Sequence, residues 1–442
     1  LAARISYHYE ASSRETQSNL LASSSFPSGE DDKSEQTASS HSVRFQLMSE
    51  SQSQPTGPDP DRRDFLTARP IRDQVASQAS ELESSESGQR KFAATQAQGT
   101  AEHWLQHFTH RAMACDFQVF LNLGQDPQGP EAVLEAFALV DELEDRFSIF
   151  RGHSELTRVN QFAAQIDVPV ESDLFGLLQL AETLHSETAG AFDISTTALS
   201  KAWNFFSRQP AVPSAEAIAT ALENVGQKNL QLDPEQRSVR FSKPGIELNL
   251  HSIGKGFAVR RMAEHLQQRG LRDFVIHGGQ SSVLAIGDCL PRETEQGGWR
   301  IGLTHPVFPE KRLGEFLLTN RAIGTSGSAR QGLVHRGQRL GHILDPRTGW
   351  PASQWLSTTV LHPDPTHADA LATAFYVMTE AEIIDYCRSR PELAALNIRS
   401  LGNSGQIELR LFRVDPQQLQ LAEPFANLPR AVVMAGDDSP LN

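Results

Sequence analysis

IELNLHSIGKGFAVRRMAEHLQQRG, residues 246–270, decides the fold by a change of rhythm. IELNL (246–250) alternates apolar and polar positions, the period of a strand with one face in a core. HSIGKG (251–256) interrupts it as a loop with two glycines. From Phe257 the apolar positions recur at helical spacing: Ala258, Met262 and Leu266 share one face with Val259 and Ala263, and Gly270 supplies the stop. A strand, a loop and a helix are therefore predicted in immediate succession.

Outward from this stretch, HRAMACDFQVFLNL (110–123) holds a second strand, with Phe117, Val119 and Leu121 alternating. Pro130 opens a helix in which Val133, Phe137, Val140 and Phe147 keep helical spacing. DLFGLLQLAETLHSETAG (173–190) is another helix, ended by Gly190. FVIH (274–277) and SVLAIG (282–287) read as strands separated by Gly278-Gly279, and TTVLHP (358–363) as one more. HADALATAFYVM (367–378) starts a buried helix, and RLFRV (410–414) reads as a last edge strand. Strands and helices alternate irregularly, which points to an α+β fold with mixed or antiparallel sheets and packed helices rather than a doubly wound parallel sheet. No internal repeat is present.

Residues 1–100 differ in kind. They are rich in Ser, Gln, Glu and Asp with few aromatics, bury too little apolar surface to offset ordering entropy, and are expected to form a disordered polar arm before a folded domain at 101–442. Arg62-Arg63-Asp64-Phe65-Leu66 has the look of a twin-arginine export signal, but the residues after it are polar where an apolar region is required. No lipobox cysteine or signal peptide is read near the start, so the compartment stays open. No apolar run approaches bilayer length, and no transmembrane segment is expected.

The 442 residues carry 40 Lys+Arg against 54 Asp+Glu, a formal charge of −14. Such a chain has no global attraction for nucleic acid, so an anionic ligand needs a local device. The cysteines Cys115, Cys289 and Cys387 form no CxxC pair, which indicates neither a disulfide framework nor a zinc site.

Several short stretches offer such a device. Gly254-Lys255-Gly256 fails as a P-loop, because position 249 is Asn and position 256 is Gly rather than Ser or Thr. What survives is a helix start whose N–H groups and Lys255 hold phosphate oxygens, or a plain helix start with a solvated lysine. In His367-Ala368-Asp369-Ala370-Leu371-Ala372-Thr373, Asp369 and Thr373 lie four apart and face one way. A carboxylate beside a neutral oxygen suits Mg²⁺; equally, Asp369 is a helix N-terminal acid and Thr373 bonds back to its own helix. Gly324-Thr325-Ser326-Gly327-Ser328 reads as a small-residue loop or an ordinary turn, and Gly190-Ala191-Phe192-Asp193 as a helix exit with an acid beyond it. GHILDPRTGWP (341–351) sets His342, Asp345 and Arg347 around a tight bend, with His342 a candidate base.

Each motif alone is weak, but their order is distinctive. RAMACDF, FSIFRGHSELTRVN, GAFDIS, LNLHSIGKGFAV, HGGQ, GTSGSAR, GHILDPRTG and ADALATA follow one another between about residues 110 and 380. In this order they resemble the ApbE family, the FAD:protein FMN transferases. The resemblance implies a T-fold-like α+β catalytic region that uses FAD as substrate and Mg²⁺ as cofactor. It implies transfer of FMN to a Thr or Ser hydroxyl of an acceptor protein with release of AMP. Carried over motif by motif, the metal would be held by Asp369, Thr373 and the backbone carbonyl of Ser252. Phe150 would pack on the flavin ring and Met113 would touch the flavin. Ala191, Phe192, Asp193, Asn249, Lys255 and the backbone at Ile343 would line the FAD, and His342 would serve as base. The family commonly works outside the cytoplasm. This chain departs from the family pattern at Asn249, His251 and Ser252, where an acid and two glycines are usual, and at Arg260, Gln280 and Ser328-Ala329. Two neighbouring readings share the site: FAD hydrolysis to FMN and AMP, and a flavin-binding paralogue without turnover.

Overall fold

The computed structural model describes residues 105–434 other than 208, 291, 293, 294, 296, 328–331, 336, 337, 403–405 and 416. The polar arm expected at 1–100 and the Ser328-Ala329 departure lie outside the described residues. All described residues belong to one unit, Gln89–Asn442.

In chain order the elements are β1 (Leu105–Ala112), β2 (Cys115–Asn122), α1 (Gly129–Phe147), α2 (Glu155–Phe162), β3 (Val168–Pro169), α3 (Ser172–Glu187), α4 (Thr197–Ala202), α5 (Ala215–Leu222), β4 (Leu230–Asp233) and β5 (Ser238–Phe241). Then come α6 (Gly254–Gln268), β6 (Phe274–Gly278), β7 (Ser282–Ile286), β8 (Trp299–Thr304), β9 (Arg312–Leu318), β10 (Arg321–Gly327), β11 (Gly332–His335) and β12 (Gln338–Gly341). The last are β13 (Ser357–His362), α7 (Pro365–Val377), α8 (Glu380–Arg388), β14 (Ala394–Leu401), β15 (Gln406–Phe412), β16 (Leu419–Leu421) and β17 (Arg430–Met434).

A nine-stranded sheet in the order β1-β2-β6-β7-β10-β13-β14-β15-β17 is the spine. All of its pairs are antiparallel except β15–β17, so the α+β expectation holds. Alternation sorts its side chains onto two cores. Phe117, Val119, Leu121, Phe274, Ile276 and Val360 join the core shared with α1, α3, α6 and α7. Val275, Leu361, Leu396, Leu409 and Leu411 face the other way, onto β8 and β9. A third, smaller cluster gathers Leu199, Trp203, Ile218 and Leu344 around α4 and α5.

The helices read from the sequence are present, each with a local cause. Pro130 sits in the first turn of α1, and Val133, Phe137, Val140 and Phe147 are buried. α3 spans 172–187 and is followed by Gly190 at φ 79°. α7 begins two residues earlier than expected because Asp364 caps it, accepting from the N–H groups of Thr366 and His367, with Pro365 next.

Three expectations are corrected. IELNL (246–250) alternates in burial but belongs to no sheet. Its backbone partners lie elsewhere: the Asn160 side chain bonds both the N–H and the carbonyl of Leu248, and the Asn249 N–H donates to the Ile194 carbonyl. The small-residue stretch 324–327 is no loop; it is the end of β10, paired with residues 357–360 of β13. It is small because α7 lies across it, and a Cβ at Gly324 would run into the Ala368 carbonyl. Finally, RLFRV is not the edge: β15 is covered by the parallel strand β17.

Candidate active site

α6 starts without a capping side chain of its own, since Ile253 occupies the N-cap. The acceptor comes from α7 instead. Asp369 Oδ2 takes the Gly256 N–H at 2.9 Å, Asp369 Oδ1 takes the Ser282 hydroxyl of β7 at 2.8 Å, and the Lys255 ammonium stands 3.9 Å from Oδ2. A carboxylate against a helix N-terminus is favoured by the exposed N–H groups and the macrodipole. The contact requires glycine at 256, because a Cβ there would strike the Pro365 carbonyl and come within 2.7 Å of Asp369 Cβ. The residue that rules out a P-loop thus lets two helices cross over a buried acid. One turn on, Thr373 does not bond back to its helix; its hydroxyl pairs with that of Ser326 on β10 at 3.0 Å.

Asp369 is 4 % exposed. A carboxylate has about four lone-pair positions, and the two bonds it makes here leave it room for another partner. Among the described residues no group of three or more His, Cys, Asp or Glu is placed to hold a metal ion. An ion here therefore depends on one carboxylate, neutral protein oxygens and oxygens supplied by a ligand. That donor set fits Mg²⁺, which keeps waters and bridges to phosphates. Ser252, half-buried, lies in the turn just before α6.

The turn also connects this acid to an aromatic surface. Lys255 Nζ donates to the His251 carbonyl at 3.2 Å, and the His251 N–H donates to Asn249 Oδ1 at 2.9 Å. The His251 ring stacks on Phe150 with centroids 6.0 Å apart, and Phe206 meets Phe150 edge-on. Although residue 251 is exposed overall, burial of its imidazole and the nearby Lys255 ammonium push its pKa down to about 4. Phe150, Asn249, Lys255, Asp369 and Thr373 thus form a continuous series.

A second group adjoins it through Ile194. Ala191 and Phe192 bury their side chains in the main core, leaving backbone as the part able to face a ligand. His185 Nδ1 lies 3.0 Å from both the Phe192 carbonyl and Asp193 Oδ2, and bonding to Asp193 raises its pKa although burial opposes the rise. Asp193 Oδ1 also receives the N–H of Ser195 at 2.6 Å. His185, Asp193, Gly226, Lys228, Pro346 and Arg347 line a recess of about 250 Å³.

The bend at 345–349 closes that recess. The Thr348 and Gly349 N–H groups return to the Asp345 carbonyl. Arg347 braces the bend, bonding both Asp345 oxygens and, at 2.6 Å, Glu382 of α8. Gly349, at φ 75°, packs against Ile218 and offers its carbonyl to the Trp203 indole at 2.8 Å. His342 is half-buried just after β12, and the Ile343 carbonyl accepts from the Ala352 N–H. Met113 lies apart from these groups in the chain, at the two-residue β1–β2 turn with φ 48°, its N–H donating to Glu144.

The sequence alone gives Ser282 no role, places Ser326 only in a small-residue stretch and marks His251 only as a departure from the family pattern. Their signal was faint: hydroxyls on strands reach across the sheet, and only the smallness of HGGQSS and GTSG hinted at a helix lying close. No helix of the described residues is long and apolar enough to cross a membrane, and among the described residues no two cysteines form a disulfide.

Comparison with known proteins gives a consistent result. Residues 113–397 match the ApbE family. The chain is 30 % identical over 275 residues to the FAD:protein FMN transferase of Haemophilus influenzae, covering 60 % of this chain and 78 % of that one. It is 30 % identical over 248 residues to the enzyme of the same name from Vibrio cholerae, covering 55 % and 72 %. Among solved structures, the ApbE protein of Thermotoga maritima aligns with TM-score 0.60 at 26 % identity over 69 % of this chain and 96 % of that one. The apo flavinyl transferase ApbE of Pseudomonas stutzeri aligns with TM-score 0.59 at 25 % identity, over 72 % and 94 %.

Proposed function

The chain belongs to the ApbE family, and from that premise we propose that it is an FAD:protein FMN transferase that is Mg²⁺-dependent and modifies a Thr or Ser of an acceptor protein. The acceptor hydroxyl oxygen bonds to the flavin-side phosphorus of FAD, the bond from that phosphorus to the bridging oxygen breaks, and its electron pair leaves with AMP. His342 takes the hydroxyl proton. Phosphoryl-type transfer asks mostly for positioning and charge neutralisation. Lys255 and the N-terminus of α6 orient the diphosphate, and Asp193 with the backbone of Ala191 and Phe192 orients the remainder of FAD. Mg²⁺ held by Asp369, Thr373 and the Ser252 carbonyl would neutralise diphosphate charge as AMP departs.

The observation that carries this reading is the buried Asp369 carboxylate between the Gly256 N–H, the Ser282 hydroxyl and Lys255. A lone carboxylate so placed, with the Ser282 hydroxyl and the Lys255 ammonium beside it, supports a metal-bridged diphosphate. The test incubates the protein with FAD, an acceptor protein bearing Thr or Ser, and Mg²⁺ or EDTA. AMP with flavin covalently bound to the acceptor, both lost with EDTA, is expected. AMP with free FMN would make it an FAD hydrolase, and bound flavin without AMP a non-catalytic binder.

A further inference from the structure

Phe150, 71 % exposed, and Phe206, 44 % exposed, meet edge-on and form an exposed aromatic patch beside the site, which marks a contact surface rather than core. An open recess of about 390 Å³ adjoins it, lined among others by Ile149, Phe206, Asn160 and Lys201. One face of Phe150 is partly covered by His251. The His251 ring lies 6.0 Å away, centroid to centroid, at an interplanar angle of 24°. A planar ligand between two such plates needs two contacts of about 3.5 Å each, or about 7 Å, so no third ring fits between them as they stand. The backbone of His251 is held at both its N–H and its carbonyl. Residue 251 is exposed overall, and exposed side chains change rotamer on a fast timescale.

We propose that His251 is a self-stacking plug on the Phe150 platform, which an incoming flavin ring turns aside before it stacks there. This deepens the transferase reading and rests on it. The plug makes His251 a residue that sets flavin affinity without touching the reacting phosphorus. Small residues at 251 leave the platform open, and a larger ring closes it further.

The experiment titrates FMN against the full chain by flavin fluorescence. His251→Ala is expected to bind FMN about twofold to tenfold more tightly than the unaltered protein, the range of one aromatic stack. His251→Phe is expected to bind more weakly, and in a Phe150→Leu background the gain from His251→Ala vanishes. Equal or weaker binding by His251→Ala, or a gain that persists without Phe150, would overturn the plug while leaving flavin binding in place. If neither the unaltered protein nor His251→Ala binds FMN or FAD, the plug and the transferase reading fall together.

Discussion

The two ends of the turn before α6 are built in opposite ways. At one end Asp369 is buried, and each oxygen meets a directional donor from a different element, α6 or β7. At the other end Phe150 is exposed and held by ring contacts with His251 and Phe206. The first is fixed by hydrogen-bond angle and by glycine-permitted backbone contact. The second is broad, non-directional and easily rearranged. On the proposed reading, the directional end is the one that places charge and the ring-contact end the one that receives a flat ring.

The comparison is open to attack at the rigid end first. Gly256→Ala drives a methyl into the Pro365 carbonyl and should separate α6 from α7. A loss of about 3 kcal/mol or more in urea unfolding is expected, with AMP release abolished. A variant of unaltered stability would show that the crossing is looser than its geometry. Asp369→Asn should fold, yet lower AMP release from FAD roughly a hundredfold, as expected when a group facing developing charge is removed. Retained turnover in that variant would remove Asp369 from the chemistry. Arg347→Gln loses the bonds to Asp345 and Glu382. These groups are partly open to solvent, so the cost is about 1 kcal/mol, read as a shift in urea midpoint.

The smallest effect concerns pH. His185 has a raised folded pKa because of Asp193. Its contribution to stability is therefore fully present below the ordinary histidine value and is lost as pH rises through the folded one. His185→Gln should cost more stability at pH 6 than at pH 9, measured by thermal unfolding at both. An equal cost at the two values would detach the pair from its charge.

The same contrast explains what could be read in advance. α1, α3, α6 and α7 were legible because each carries a regular apolar stripe and a local stop or start signal, such as Gly190, Gly270 or Pro130. IELNL was misread because its pairing partner is a side chain far along the chain, Asn160, and no local pattern records that. β10 was misread because its smallness serves a helix packed on it, while glycine and serine ordinarily mark turns. β1 escaped notice because half-exposed positions blur its alternation. Asp369 and Thr373 stand out by their four-residue spacing, with metal-binding and plain helix roles both open, whereas the Ser282 and Ser326 hydroxyls they meet depend on strand order, which spacing does not encode.

The indole of Trp203 is fully buried, is hydrogen-bonded to the Gly349 carbonyl and meets Trp350 edge-on at 5.3 Å. The bend bearing Arg347 is thus wired to an optical reporter. Any event that lifts the bend from its seat admits water to that indole and reddens its emission, so the protein broadcasts the state of this wall without an added label.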